Sequence, residues 1–413
     1  MEVAIIGGGV IGLCSAYYLQ KAGYNVTVIE KTNLTNGCSF GNMGYVSPSH
    51  FIPLATPGLI SQGLKWMLDS SSPFYIKPRI NLDMMQWGFN FWKSANAKKV
   101  EYSAPHLNNL LQLSRSLTID LKNDLPQAFD LQEKGVWMLY KNQHTGDHEK
   151  KHADQAASYG LKTIICNKHE VQDYEKHVEV DVLGGVLYVD DCHLNPSKFM
   201  GSLVAHLKNY GVKFLVQEEV KSFEFSSKKV SKIITTNSEV KADEVVVANG
   251  SWMQGVSKML NINIPMQPGK GYSMQYNDLK NNLLYPSILV DHRVATTPID
   301  QWLRIGGTME LSGHNDVILP KRVTSIYNSF IKYYPNLDIK LPSMDKVWFG
   351  YRPISPDGMP YIGKHNAFTN VSFAGGHAML GISAAAATGK LIEGLVSNRK
   401  NEISLEAFDP NRF

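Results

Sequence analysis

The chain has 413 residues, 43% of them hydrophobic and 19% charged, which is enough apolar material for more than one packed core and too ordered a composition for a disordered protein. Lys and Arg outnumber Asp and Glu by 41 to 37, a formal net charge of +4 spread too thinly to mark a nucleic-acid-binding protein. Four cysteines (Cys14, Cys38, Cys166 and Cys192) lie far apart with no C-x-x-C pair, so the sequence predicts no metal site and no disulfide framework, and fits a reducing, cytoplasmic compartment.

The opening run VAIIGGGVIGLCSAYYL lacks the basic leader and cleavage site of a signal peptide. No window approaches the ~20 uninterrupted apolar residues of a membrane span. Residues 2–6 read as a buried strand, 10–22 as a helix stopping at Gly23, and 26–30 as a second strand, which makes a βαβ unit. From about 55 to 130 tryptophan-rich amphipathic helical patterns take over, as in LISQGLKWML and MMQWGFNFWKSA. A strand follows at 135–141. A helix over 196–210 carries Pro196 in its first turn and ends at Gly211. Strands at 212–217, 220–225 and 230–236 lead into ADEVVVANG, a βαβ-like return. Residues 266–311 are again strand-rich, 325–334 read as a helix, and the C-terminal part runs strand, glycine loop, long helix.

This pattern predicts an α/β protein. A Rossmann-like nucleotide-binding domain assembled from 1–50, 185–265 and 345–413 is interleaved with an α+β domain, on a mostly antiparallel sheet, from 51–184 and 266–344.

Three motifs carry chemistry. Gly7-x-Gly9-x-x-Gly12 stands between a strand and a helix. Gly7 suits the tight turn, Gly9 the close approach to a pyrophosphate, and Gly12 the packing of helix on strand. The helix N-terminus beyond offers amides and partial positive charge to phosphate. Glu30 closes the second strand, where its carboxylate can accept from ribose hydroxyls. Ile6, Val10, Ile11 and Lys31 flank these positions. The second motif, CSFGNMGYVSP (38–48), offers Ser39, Asn42, Met43 and Gly44 where a loop would pass the pyrophosphate and a flavin ring. The third, FAGGHAMLGISAAAATGKLIEGL, places Gly376, Leu380, Gly381 and Ile382 ahead of a small-residue helix. Its N-terminus would stabilise negative charge on a reduced ring. With Val220, Ala248 and Gly250 from the downstream β-region, three separated segments suit an elongated FAD better than NAD.

Taken together, GGGVIG, GNMGYVSP, PLATPGLISQGLKWML, PGKGYS (268–273), RIGGTME (304–310), GYRPISPDGMPYIG (350–363), GGHAMLG (375–381) and FDPNRF run through almost the whole chain in family order. The sequence resembles the D-amino-acid oxidase superfamily of FAD enzymes, and most closely its bacterial D-amino-acid dehydrogenase branch.

The resemblance implies that Arg352, the arginine of G-x-R-P, binds a substrate carboxylate, and that Tyr272 of K-G-Y-S lies near the substrate sheet. His377 and His50 are further pocket candidates, and Arg304 is expected to support a strand. Relatives that attach FAD covalently do so through a cysteine near G-x-R-P. None stands near it in this sequence, so noncovalent FAD is expected.

The implied reaction is oxidative deamination of D-amino acids to 2-oxo acids and ammonia, by hydride transfer from Cα to flavin N5. Two alternatives stay open: a secondary-amine enzyme acting on D-proline, hydroxy-D-proline, sarcosine or glycine, and a noncatalytic flavoprotein. Electrons would pass to a quinone, another acceptor or oxygen. The tryptophan-rich stretch 64–92 offers either pocket cover or a peripheral contact with the cytoplasmic face of the inner membrane.

Overall fold

The structure, a computed structural model, describes residues 1–35, 37–58, 72, 74–77 and 81–413. The expected helical stretch LISQGLKWML lies outside the described residues.

The first strand, Glu2–Ile6, is buried from its second residue on, and pairs in parallel with Asn25–Glu30 and with Glu244–Val247. Strands buried on both faces need continuous apolar runs, which VAII, VTVI and EVVV supply. The full sheet runs Tyr361–Lys364, Val371–Gly375, Glu244–Val247, Glu2–Ile6, Asn25–Glu30, Lys213–Val216. It is parallel except for its first strand.

The helix Val10–Lys21 crosses between the first two strands and ends at Gly23, whose φ is +87°. It packs on the C-terminal helix Gly381–Val396, and the approach is close. A Cβ at Gly389 would lie 2.5 Å from the carbonyl carbon of Cys14. The Ala384–Ala387 run serves the same close packing; all four are buried.

A nine-stranded sheet forms the second layer. Its path is Trp348–Ile354, Gln267–Tyr276, Trp302–Leu311, Val294–Ile299, Ser287–Leu289, Val136–Tyr140, Gly184–Tyr188 and Thr163–Asn167, with Phe74–Ile76 added in parallel beside Trp302–Leu311. Most pairs are antiparallel; Ser287–Leu289 and Val136–Tyr140 run in parallel. Two stretches that the sequence grouped with the nucleotide-binding unit, Gly184–Tyr188 and Trp348–Ile354, pair in this sheet. Both are short apolar strands whose partners lie far away in the chain, which periodicity alone does not reveal.

Register assigns each sheet face a task. Residues paired across strands share a face, so Arg352, Gly271, Ser273, Gly306, Ala295, Ile288 and Met138 all lie on one side. Their neighbours in sequence, including Tyr272, Met274, Ile305, Leu303, Val294 and Leu289, form a buried apolar cluster with Val323, Ile326 and Phe330 of the helix Pro320–Tyr333. That helix begins five residues before the expected start at 325, with Pro320 in its first turn. The side bearing Arg352 faces the six-stranded sheet and holds the site.

Candidate active site

One cavity of about 1070 Å³ runs from the glycine fingerprint to Arg352. At the fingerprint end, Gly7 has φ +113°, and its amide donates to the Ile29 carbonyl at 2.8 Å. A Cβ there would fall 2.6 Å from the Ala248 carbonyl oxygen, and one at Gly12 would fall 2.0 Å from the Gly7 carbonyl oxygen. Only glycine fits either place.

The helix that follows starts at Gly9 with no side-chain cap, and the Val10 amide donates to Ser39 Oγ at 3.0 Å. Glu30 Oε2 accepts from the Gly8 amide at 2.8 Å, and Oε1 from Thr32. A carboxylate is thereby fixed where the two strands diverge, facing the cavity. Lys31 lies 3.6 Å above the Trp252 ring, and burial lowers its pKa.

The loop 38–45 is stitched to the nine-stranded sheet. Arg304 donates to the Phe40 and Asn42 carbonyls at 3.2 and 2.7 Å, Ser273 Oγ to the Gly41 carbonyl at 2.9 Å, and Thr297 Oγ1 to the Met43 carbonyl at 2.7 Å. Asn42 closes the turn by accepting from the Gly44 amide. Arg304 therefore holds this loop in addition to donating from Nη2 to Gln275 Oε1 of the neighbouring strand at 3.0 Å.

At the far end, Arg352 Nη1 donates to the Thr308 carbonyl at 2.8 Å. Its other N–H groups have no hydrogen-bond partner, and no carboxylate pairs with it, among the described residues. Burial lowers its pKa to about 10, so it stays charged at neutral pH. A half-buried planar cation with free donors calls for an anion.

Thr308 reinforces the point. It holds φ +61°, uncommon for a β-branched residue, and its Oγ1 is buried without a partner among the described residues. Gly271 is the seat of the guanidinium, since a Cβ there would lie 2.2 Å from Arg352 Nη1. Gly271→Ala should push the guanidinium aside and raise the KM for a carboxylate substrate by about tenfold or more while FAD affinity holds; steady-state kinetics and a flavin titration check this. Trp348 lies across Gly41 and Gly350 in the same way, with Cβ positions 2.1 and 2.2 Å from its ring. Alternate glycines in facing strands thus make room for two large side chains on one face.

The C-terminal motif delivers its helix to the same cavity. Leu380, Gly381 and Ile382 line it, and the helix beginning at Gly381 has no side-chain cap. Its first amides are open to an anionic group. His377 lines the wall and is 1% exposed. Thr388 Oγ1 gives its own proton to the Ala384 carbonyl at 2.8 Å, so it accepts from His377 Nε2–H at 2.9 Å. Nδ1 is left as an acceptor with no partner among the described residues, and burial holds the ring neutral, with its pKa down to about 3.

The sequence-predicted residues divide clearly. Ile6, Gly7, Gly9, Val10, Ile11, Glu30, Lys31, Ser39, Asn42, Met43, Gly44, Val220, Ala248, Gly250, Leu380, Gly381, Ile382, Arg352, His377 and His50 line one cavity. Gly12 and Gly376 stand behind it. Gly376 has φ +76° and turns the chain over Tyr361. Tyr272 also borders the cavity, with its hydroxyl turned away from it. Its hydroxyl donates to Glu310 at 2.8 Å inside the cluster on the opposite face. Only one residue in two of a strand can face the site, and Gly271 and Ser273 take those places.

Folding brings one cysteine to the G-x-R-P strand. Cys38 Sγ accepts from the Tyr351 amide at 2.9 Å, next to Arg352. Burial raises its pKa, which keeps it a thiol and a poor nucleophile.

The residues present fit an FAD, with a glycine cradle at one end, a cavity of the right scale and uncapped helix amides at the other. Thr308, Gly271 and Cys38 were missed in the sequence. The positive φ of Thr308 and the cross-strand position of Gly271 have no local signature.

Comparison with known proteins agrees. A family model described as DAO, FAD dependent oxidoreductase, matches residues 2–395. The D-amino acid dehydrogenase of Helicobacter pylori is 32% identical over 405 residues, covering 97% of this chain and 96% of that protein. That of Vibrio atlanticus (strain LGP32) is 30% identical, covering 100% of both. Among solved structures, glycine oxidase from Geobacillus kaustophilus superposes with a TM-score of 0.81 at 21% identity, over 100% of this chain and 98% of that one. L-Proline dehydrogenase from P. horikoshii gives 0.76 at 20%, over 100% and 97%. At such identity these two speak for the fold.

Proposed function

The chain belongs to the DAO family of FAD-dependent oxidoreductases, and from that premise we propose that it oxidises D-amino acids to imino acids, which water converts to 2-oxo acids and ammonia. The observation that carries this reading is Arg352, a charged guanidinium with free donors and no carboxylate partner among the described residues, in the cavity that fits FAD. The names of the curated relatives support the D-amino-acid substrate class.

When bound, FAD supplies the hydride acceptor. Gly7, Gly9 and the first amides of Val10–Lys21 would hold its pyrophosphate, Glu30 its ribose, and the amides at Gly381–Ser383 the pyrimidine edge of the ring. The sheet bearing Glu2–Ile6 makes the FAD unit and the nine-stranded sheet the substrate unit. Cys38, half-buried and kept as a thiol, favours noncovalent attachment.

Arg352 clamps the substrate carboxylate, with Thr308 Oγ1 as a further donor, and so fixes which Cα–H faces the ring. Such positioning supplies most of the acceleration. Leu54, Trp87, Phe91, Ile354 and Ala378 form the apolar wall beside Arg352, which suits an aliphatic or aromatic side chain. An anaerobic flavin-bleaching screen over D- and L-amino acids, including both prolines, sarcosine and glycine, tests the class. Bleaching by secondary amines alone would move the assignment to that alternative, and bleaching by none would favour a noncatalytic flavoprotein.

The acceptor reading extends to a lipid surface. No helix among the described residues is long and apolar enough to cross a membrane. The helix Leu82–Ser94, however, exposes Leu82 (83%), Met85 (62%), Phe89 (56%) and Trp92 (63%) along one stripe, with Lys93, Lys98 and Lys99 following. Its other face carries Trp87 and Phe91 into the cavity wall. An amphipathic stripe with lysines fits an anionic bilayer, and a membrane-held quinone would then meet the enzyme beside its site. Met85→Ser with Phe89→Ser, both outside the cavity, should weaken binding to anionic vesicles about tenfold or more while leaving dye-coupled turnover intact; vesicle flotation measures this.

A further inference from the structure

His50, on the cavity wall, leads into a connected set of buried groups that carboxylate binding and hydride transfer do not use. Asp191 is 1% exposed. Its Oδ1 accepts from the Ser49 amide at 3.1 Å and its Oδ2 from Ser49 Oγ at 2.6 Å. Ser49 Oγ has one proton, and it is committed to the carboxylate. Toward His50 Nδ1, 3.2 Å away, the same oxygen can therefore only accept, so His50 carries its proton on Nδ1. Nε2 is then a lone-pair acceptor with no partner among the described residues, on a ring that lines the cavity.

We propose that His50 Nε2 takes the proton of the bound substrate's ammonium, with Ser49 and Asp191 as positioning residues that pass the charge inward. The inference rests on the amino-acid reading above. The step balances without a co-reactant. The N–H bond of the ammonium breaks and an Nε2–H bond forms. His50 Nδ1–H passes to Ser49 Oγ, and the Ser49 proton passes to Asp191 Oδ2. The amine is left neutral, its lone pair free to push hydride from Cα. The relay ends with a neutral imidazole and a neutral carboxylic acid.

The surroundings favour that end state. Burial, with His152 nearby, pulls the His50 imidazole down to about 4, so an imidazolium alone would be a poor store. Burial pushes Asp191 up to about 7 despite the bonds from Ser49, which makes it a suitable one near neutral pH. The groups facing this chain are His152 and Glu149 of the helix Gln143–Ser158, Tyr188, whose hydroxyl meets His152 Nδ1 at 3.3 Å, and Tyr45, Asp190 and Cys192. Glu149 is itself raised to about 7 by burial.

The test is anaerobic stopped-flow reduction of the FAD-loaded protein by D-alanine across a pH series. His50→Gln should reduce its flavin about 100-fold more slowly than wild type near about pH 7. Near about pH 10, where the amino acid arrives already deprotonated, it should recover to within about threefold. Asp191→Asn should fall the same way by a smaller factor. A His50→Gln rate equal to wild type at about pH 7, or an equal deficit at every pH, would overturn the proposal.

A second readout needs no turnover. In holoenzyme labelled with ¹⁵N-histidine, His50 should appear as the Nδ1–H tautomer and lose that preference in Ser49→Ala, whereas an Nε2–H tautomer in the wild type would overturn it. If wild-type flavin is not reduced by D-alanine at any pH while other D-amino acids also fail, the amino-acid reading itself falls. A pH-independent His50 deficit beside a working wild type overturns only the relay.

Discussion

Arg352→Met is expected to lower kcat/KM for a D-amino acid by about a thousandfold, or ~4 kcal/mol, with FAD still bound. Three features set that size. Among the described residues the guanidinium has no carboxylate of its own to release, and Nη1 meets the Thr308 carbonyl. It lies in a buried setting that lowers its pKa to about 10, so solvent screens the substrate contact weakly. A bidentate clamp also orients Cα, so its loss costs alignment as well as affinity. Arg352→Lys keeps the charge and loses the fork, and should recover only part of the deficit. Flavin content checks that the cofactor site survived. The proposed cofactor site lies on other elements, around Gly7, Glu30 and Gly381.

Gly12→Ala should be nearly as damaging, through a different failure. The added methyl would fall 2.0 Å from the Gly7 carbonyl oxygen, and that oxygen belongs to the turn whose amide bonds Ile29. Neither partner is the flexible end of a side chain, so the helix Val10–Lys21 must lift from its strand. Lifting it also disturbs the close contact with Gly389 of the C-terminal helix. A cost of about 2–3 kcal/mol and a fall in FAD affinity of about tenfold or more are expected together. Purified protein should be pale, and its Tm should recover only in part with excess FAD, because added ligand stabilises in proportion to ln(1 + [L]/Kd). A yellow protein with wild-type Tm would mean the helix tolerates the shift.

The nucleotide-binding βαβ unit was legible because its information is local. Strand, glycine turn, helix and acidic residue follow within the first 30 residues, and the structure has them at Glu2–Ile6, Val10–Lys21 and Asn25–Glu30. Arg352 was legible for a related reason, being a cation among prolines and apolar residues. Tyr272 shows where such reading stops. Its motif placed it beside the site, and it does border the cavity, but its side chain turns to the opposite face, which is set by pairing with Trp302–Leu311 and Trp348–Ile354. Cys38 failed similarly in the other direction, being 313 positions from Tyr351 in sequence and 2.9 Å from its amide in space. Asp191 and Ser49 are 142 residues apart, and nothing in either local sequence points to the other. Pairing and register across distant strands, which no window of sequence contains, account for each of these misses.

The central claim is that a cavity fitted to FAD positions an amino acid's carboxylate on Arg352 so that Cα–H can be oxidised. Anaerobic titration of FAD-loaded wild type and Arg352→Met with D-alanine and L-alanine tests it most directly, with flavin absorbance as the readout. The account predicts full bleaching of the wild type by the D-enantiomer, little by the L-enantiomer, and almost none of the variant by either. Equal bleaching of the two proteins by D-alanine would contradict it.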